Sequence, residues 1–340
     1  MSRALTALGF RRFLFWIGYD GSFFGEMARG NTGRSMVEFF HLCLAETLSI
    51  DSTTIKVTTS SRTDRFVHAI RMSIVAQLPP ESHWIDESSI KKSRLLRDFN
   101  ALTSKLSRDA LTLHDFHGIS PFFDAREHVI YRKYVYRLCV PRHRNVVERL
   151  RDHGPTLASY TETPYAWVVW PQFDYHIAEK VCTELEGKPL NFASFFKHPD
   201  GLRRRGVSYR NTDRQLYSMR IEPGEPYILA NDEFDYFNIV IVSKGFLREQ
   251  IRRIIRVLVQ IASKQNSMRL LHDIIESCDP RVFCDMRLTA APPNGLFLAD
   301  VVYDPRMFER PVPEIPQAWD IPLDEYRKII GHINADGDEE

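Results

Sequence analysis

The chain has 340 residues, 44% of them hydrophobic and 26% charged, which is enough apolar material for the cores of about two ordinary domains. Net charge is only +1, and no uninterrupted apolar run approaches the ~18 residues a membrane-crossing helix needs, so no membrane partner is expected. The cysteines, Cys43, Cys139, Cys182, Cys278 and Cys284, are odd in number, scattered and without CxxC spacing, which argues against a disulfide framework or structural zinc and for reduced thiols inside a cell.

Arg3, Arg11 and Arg12 precede the first acid, Asp20, the charge bias of a mitochondrial presequence; a merely ragged basic N-terminus has the same composition. Residues 13–20 are apolar and aromatic and close on Asp20-Gly21, which predicts a strand. A glycine-rich stretch leads into 35–48, where Met36, Phe39, Phe40, Cys43, Leu44 and Thr47 recur at helical spacing. Two β-rich segments, 53–59 and 67–78, flank Ser60-Ser61-Arg62-Thr63-Asp64. Leu95, Phe99, Leu102 and Leu106 make one face of a helix over 90–106, and 110–116 alternates as a strand does.

The order β-α-β-β-α-β then recurs. A strand is expected over 130–140, a loop-like region over 141–164 with an extra strand at 166–170, and a helix over 175–185. Strands over 214–221 and 234–242 are read as a pair across Pro223-Gly224, followed by a helix over 246–262 and a closing strand over 296–303. Each unit is a split βαβ, or ferredoxin-like, arrangement. The expected fold is therefore α/β (α+β): two tandem ferredoxin-like halves, residues 13–120 and 121–305, with their antiparallel sheets joined edge to edge and a cleft between them. Such junctions are preferred ligand sites. Residues 306–340 read as an acidic, proline-rich tail. From Asp304 onward ten acids face four Lys or Arg, which leaves +7 on residues 1–303. A basic body suits an anionic partner, although a solvated surface has the same count.

Three constellations are candidates for chemistry. Residues 25–32 nearly fit the phosphate-binding loop GxxxxGK[ST], but Asn31 stands where the lysine must be; a glycine-rich turn, or a seat for a nucleic-acid phosphate, remains. Asp64 lies between Arg62 and Arg65 at the tip joining two strands, and opposite charge on either side favours its ionised form. A solvated turn aspartate has the same neighbours. Arg248, Arg252 and Arg256 are four apart and form a basic stripe on the helix expected at 246–262, with Arg253 beside them and Glu249 the sole acid there. Further basic patches, Arg203-Arg204-Arg205 and Arg126 to Arg144, interleave with Phe122, Phe123, Tyr131, Tyr134 and Tyr136. Guanidinium and aromatic faces together suit unpaired RNA bases.

The motifs Tyr19-Asp20-Gly21, Ser61-Arg62-Thr63-Asp64 with Val67-His68-Ala69, Phe123-Asp124-Ala125-Arg126 with Arg132-Lys133-Tyr134-Val135-Tyr136, Phe246-Leu247 with Ile251-Arg252, and Ala291-Pro292 with Gly295-Leu296 and Leu298 follow one another over residues 13–303. In that order they resemble the TruA family of tRNA pseudouridine synthases. Ser60-Ser61-Arg62-Thr63-Asp64 and Ala28-Arg29-Gly30 look like its eukaryotic tRNA pseudouridine synthase-like branch, often mitochondrial.

The resemblance implies isomerisation of uridine to pseudouridine in RNA, with no metal or organic cofactor. The substrate would be tRNA, with mitochondrial mRNA or rRNA as alternatives, and the working form a homodimer. It implies Asp64 as the catalytic aspartate, Arg62 as the arginine that helps extrude the target nucleotide, and Tyr134 as the ring stacked on the base. Arg252 would pair with the aspartate and Leu247 would line the pocket. The family usually has Gly where this chain has Ser61, and Ala-Gly where it has Arg65-Phe66. Glycine in a turn allows positive φ and close ligand approach. Arg65 is also a rival to Arg252 for Asp64. A catalytically weakened RNA-binding protein of the same fold is the alternative these departures favour.

Overall fold

The computed structural model describes residues 9–27, 35–82, 85, 88–197, 212–226 and 231–309. The N-terminal half contains β1 (Arg11–Tyr19), α1 (Met36–Leu48), β2 (Lys56–Thr59), β3 (His68–Leu78), α2 (Ser89–Ser107) and β4 (Leu111–Gly118). The C-terminal half contains β5 (Val129–Pro141), α3 (Arg144–Asp152), α4 (Leu157–Glu162), β6 (Trp167–Val168), α5 (Tyr175–Leu185), β7 (Pro189–Asn191), β8 (Asp213–Gln215), β9 (Ser218–Gly224), β10 (Phe234–Ser243), α6 (Gln250–Ala262), α7 (Met268–Ser277), α8 (Val282–Asp285) and β11 (Leu296–Tyr303).

One mixed sheet runs β4-β1-β3-β11-β5-β10-β9, with β2 against β3 and β6 against β5. In each half the unit's fourth strand lies beside its first, then its third, then its second. The N-terminal set is β4-β1-β3-β2 and the C-terminal set β11-β5-β10-β9. The halves meet where β11 pairs with β3, in parallel, over Phe297↔His68 and Leu298↔Ala69. β2 pairs with β3 farther along, at residues 74–77. The loop 60–67 between β2 and β3 therefore emerges beside the seam.

Local chemistry explains most element ends. Ser35 caps α1 by accepting from the Glu38 N–H, and Asp174 caps α5 by accepting from His176 and Ile177. β1 is central, and Phe13, Leu14, Phe15, Trp16 and Ile17 are buried on both faces. In α6, Ile251, Ile254, Ile255, Leu258 and Ile261 are buried, each removing apolar surface that stabilises by about 1.5–3 kcal/mol.

Four expectations need correction. The region 141–164 is not loop: it holds α3 and α4, and of the expected strand at 166–170 only Trp167–Val168 pairs, with β5. The expected strand 214–221 is broken at Leu216-Tyr217 into β8, which pairs with β7, and β9. Pro223-Gly224 is not the turn; both residues pair in the ladder, opposite Phe237 and Tyr236. The last predicted helix begins at Gln250 rather than 246, because Glu249 takes a left-handed φ of 59°. The near phosphate-binding loop from residue 28 onward, Arg203-Arg204-Arg205, and the tail beyond residue 309 lie outside the described residues.

Candidate active site

The loop 60–67 faces the turn 245–249 across a cleft of about 1240 Å³ lined by both halves of the molecule. Two close approaches shape the loop. A Cβ on Gly21 would come within 2.2 Å of the Val67 carbonyl oxygen, so the Tyr19-Asp20-Gly21 turn requires glycine to lie against the loop's end. The Tyr19 hydroxyl sits 2.6 Å from Thr63 Oγ1, immediately before Asp64, and burial pushes the Tyr19 phenol well above its usual pKa.

Arg132 binds the two walls together. Its Nη2 donates to Ser60 O at 2.6 Å, and its Nη1 donates to Lys244 O. Arg126 adds a bond from Nε to Thr59 O at 3.2 Å. Arg132 is buried, and desolvation lowers its pKa from the ordinary guanidinium value. Serving two carbonyls at once is what a forked cation does and a lysine ammonium does less rigidly.

Asp64 meets Arg252 across the cleft. Arg252 Nη1 donates to Asp64 Oδ2 at 2.9 Å, and its Nε donates to Ala291 O at 2.7 Å. The Ala291 N–H in turn donates to Arg252 O at 2.9 Å, so the guanidinium is fixed from behind. Glu249 Oε1 lies 3.8 Å from the same Nη1 and is itself held by Lys197 Nζ at 2.8 Å. The pair is partly buried, with side-chain exposures of 14% for Arg252 and 25% for Asp64, so it is shielded yet reachable from the cleft.

Tyr134 stands beside the pair. It is buried, its hydroxyl lies 3.3 Å from Ser61 Oγ, and its ring meets Phe246 edge-on at 5.2 Å. Burial raises its phenol pKa, so it is a neutral ring at ordinary pH. Leu247 is half-buried in the turn before α6, lines the cleft, and donates its N–H to Gln250 Oε1 at 2.8 Å. Arg62 is exposed on the cleft wall. All five residues singled out by the resemblance thus line one cleft.

The departures at 65 and 66 leave the pair intact. The Arg65 guanidinium lies over the Phe66 ring at 4.5 Å, while Asp64 is bonded to Arg252. Phe66 holds the left-handed conformation, φ 66°, that a glycine would take without strain.

The expected arginine stripe is shortened: Arg252 and Arg256 remain one turn apart on α6. Arg248 falls in the turn before α6, exposed on the cleft. Arg253 is buried, donating to Phe196 O at 3.0 Å. Arg256 donates to Thr289 O at 2.9 Å and lies over Trp167 at 4.5 Å. Sequence reasoning missed Glu249 as a partner of Arg252 and Arg132 as the link between walls; both lay inside quoted motifs, but nothing local marks a carbonyl contact 112 residues away.

A cleft of this kind can hold a carboxylate against a cation beside a flat aromatic wall, with Arg62, Arg126, Arg214 and Arg248 on its surface for an anionic chain. Comparison with known proteins agrees with that chemistry. A family model described as tRNA pseudouridine synthase matches residues 182–304. The chain is 27% identical over 245 residues to tRNA pseudouridine synthase A 1 of Protochlamydia amoebophila, covering 72% of this chain and 78% of that protein. It is 26% identical over 304 residues to mouse tRNA pseudouridine synthase-like 1, covering 86% and 94%. It is 25% identical over 293 residues to tRNA pseudouridine synthase A of Thermus thermophilus, covering 86% and 97%. The family model spans Arg252 but not Asp64; the pairwise matches are too long to fit in one half.

Proposed function

We infer that this chain, a member of the TruA family of tRNA pseudouridine synthases, isomerises uridine to pseudouridine within tRNA. The observation that carries the reading is the 2.9 Å pair between Asp64 and Arg252, made across the cleft by the two halves of the chain. A uridine in an RNA arm must leave its stack to reach such a cleft, at a cost of a few kcal/mol. Arg62, exposed on the cleft wall, is suited to fill the space the base vacates. Tyr134 is suited to receive the base on its ring, a contact of about 1–3 kcal/mol, and Leu247 closes the apolar side.

The reaction breaks the bond between N1 and C1′ and makes one between C5 and C1′. C5 loses its proton and N1 gains one, so composition is unchanged and neither oxidant nor reductant is consumed. Asp64 starts the cleavage, held and oriented by the bond from Arg252. The uracil then turns against Tyr134 before the carbon–carbon bond closes.

Finer features belong to the same proposal. The arginine-bearing stretch without acids before Asp20 supports a mitochondrial compartment, to be checked by cell fractionation. The modest +7 on residues 1–303 supports a homodimer, which doubles the basic surface offered to one RNA.

The deciding experiment maps pseudouridine across total RNA in cells lacking the protein, with rescue by wild type and by Asp64→Asn. The asparagine is nearly isosteric and removes only the charge. Specific tRNA sites lose pseudouridine, wild type restores them, and Asp64→Asn does not, while purified Asp64→Asn binds RNA within a few-fold of wild type. No change at any site would leave the chain as an RNA-binding protein only.

A further inference from the structure

The seam between the halves is two residue pairs long, and it lies at the end of the loop that carries Asp64. Side chains from both halves gather there. Asp20, at the end of β1, places Oδ1 3.0 Å from His68 Nδ1 and accepts at the same oxygen from the Ser22 N–H at 2.8 Å. Its other oxygen, Oδ2, accepts from the Tyr165 hydroxyl at 2.8 Å, across 145 residues of sequence. Tyr165 comes from the C-terminal half, just after α4. His68 is 3% exposed, stacked on Phe297 at 4.7 Å and met by Tyr165 at 5.2 Å. Burial alone would raise the Asp20 pKa, but bonds from His68, Ser22 and Tyr165 outweigh it and hold the carboxyl well below its usual range.

We infer that Tyr165, acting through Asp20 and His68, is a positioning residue that latches the C-terminal half onto the loop carrying Asp64. The inference rests on the assignment of turnover to Asp64. The loop is gripped at both ends by consecutive residues of β1 and its turn: Tyr19 holds Thr63 just before Asp64, and Asp20 holds His68 just after it. Those grips are internal to the N-terminal half. Arg252 is in the other half, so the Asp64–Arg252 distance depends on how the halves are set. Tyr165 is the side chain of the C-terminal half that bonds the gripping aspartate. A misplacement of about 1 Å at a reacting group costs on the order of 100-fold in rate, so a latch this close to the loop acts on kcat rather than on RNA capture.

The test is steady-state turnover on tRNA by wild type, Tyr165→Phe, Asp20→Asn and the double variant, with RNA affinity and melting temperature measured on each. Tyr165→Phe keeps the ring over His68 and removes one bond to a charged acceptor, so kcat falls roughly ten-fold. RNA affinity stays within two-fold, because Tyr165, Asp20 and His68 are not among the residues that line the cleft. The double variant is no slower than Asp20→Asn alone, since the hydroxyl acts through that carboxylate. A merely structural tyrosine would lower the melting temperature and leave kcat unchanged well below it. Wild-type kcat in Tyr165→Phe, or full additivity in the double variant, overturns the latch while leaving the function intact. An inactive wild-type chain overturns both.

Discussion

Arg252 and Arg256 sit one helical turn apart on α6, and their surroundings give them different work. Arg252 donates to the Asp64 carboxylate and to the Ala291 carbonyl. Each bond involving a charged group contributes about 1.5–3 kcal/mol, less here than in a dry interior because both partners are partly exposed. Arg256 donates to one carbonyl and covers Trp167, a cation–π contact of about 0.5–1 kcal/mol at a half-exposed site. Arg252→Ala is therefore expected to abolish turnover and to lower the melting temperature by a few degrees, at roughly 1–2 °C per kcal/mol for a chain of 340 residues. Arg256→Ala should melt slightly earlier and keep most of its turnover. Paired melts and turnover assays check this, and equal turnover in the two variants would count against Arg252 as the partner of the catalytic carboxylate.

At the scale of elements, the loop 60–67 carries Arg65 and Phe66 where the family it resembles usually has Ala-Gly. Phe66 holds φ 66°, which costs a non-glycine residue roughly 1 kcal/mol. Its ring in turn seats the Arg65 guanidinium, worth about 0.5–1 kcal/mol at an exposed site. The two effects nearly cancel, so Phe66→Gly should melt within a few degrees of wild type and keep its turnover. A loss of turnover beyond ten-fold would mean that the Arg65–Phe66 stack helps to place Asp64.

The same elements show what is legible in a sequence. α5 and β11 match their expected ends because α5 has an aspartate cap and β11 follows a Pro-Asn-Gly turn. α3 is hidden: only Val146 of its nine residues is buried, too little for a helical stripe, and the surrounding prolines and glycine suggest loop. Pro223-Gly224 signals a turn, yet the ladder passes through it, because β9 is an edge strand where proline's missing donor costs little. The start of α6 is set by Glu249, a non-glycine residue held left-handed among Lys197, Arg252 and Arg253, contacts made only after folding. Of the site, Asp64 stands out locally by its flanking arginines and Arg252 by its place among Arg248 to Arg256, and the motif resemblance gives them their roles. Their pairing spans 188 residues, a distance that no local pattern encodes.

For the whole molecule, the stretch after β11 changes where a tail can be cut. Residues Pro305–Phe308 form a short 3₁₀ turn that returns to the N-terminal half. Met307 is 1% exposed, and the Phe308 ring lies 5.1 Å from His117 and 6.2 Å from Tyr303. A deletion from residue 306 would strip these contacts and destabilise the fold, so the acidic tail is properly removed after Glu309. Residues 310–340 carry eight acids against three Lys or Arg. The net of −5 opposes an RNA approaching the arginines of the cleft. Deleting 310–340 should raise RNA affinity at low salt, and the gain should shrink as added salt screens charges beyond about 10 Å at 0.1 M. The melting temperature should not move, and light scattering at micromolar concentration should give twice the chain mass with or without the tail. Filter binding across a salt series reads the electrostatic part directly, because log affinity falls linearly with log salt in proportion to the phosphates neutralised. Equal affinity of the full and shortened chains at every salt concentration would remove the tail from RNA capture, and a monomer that still turns over tRNA would remove the dimer.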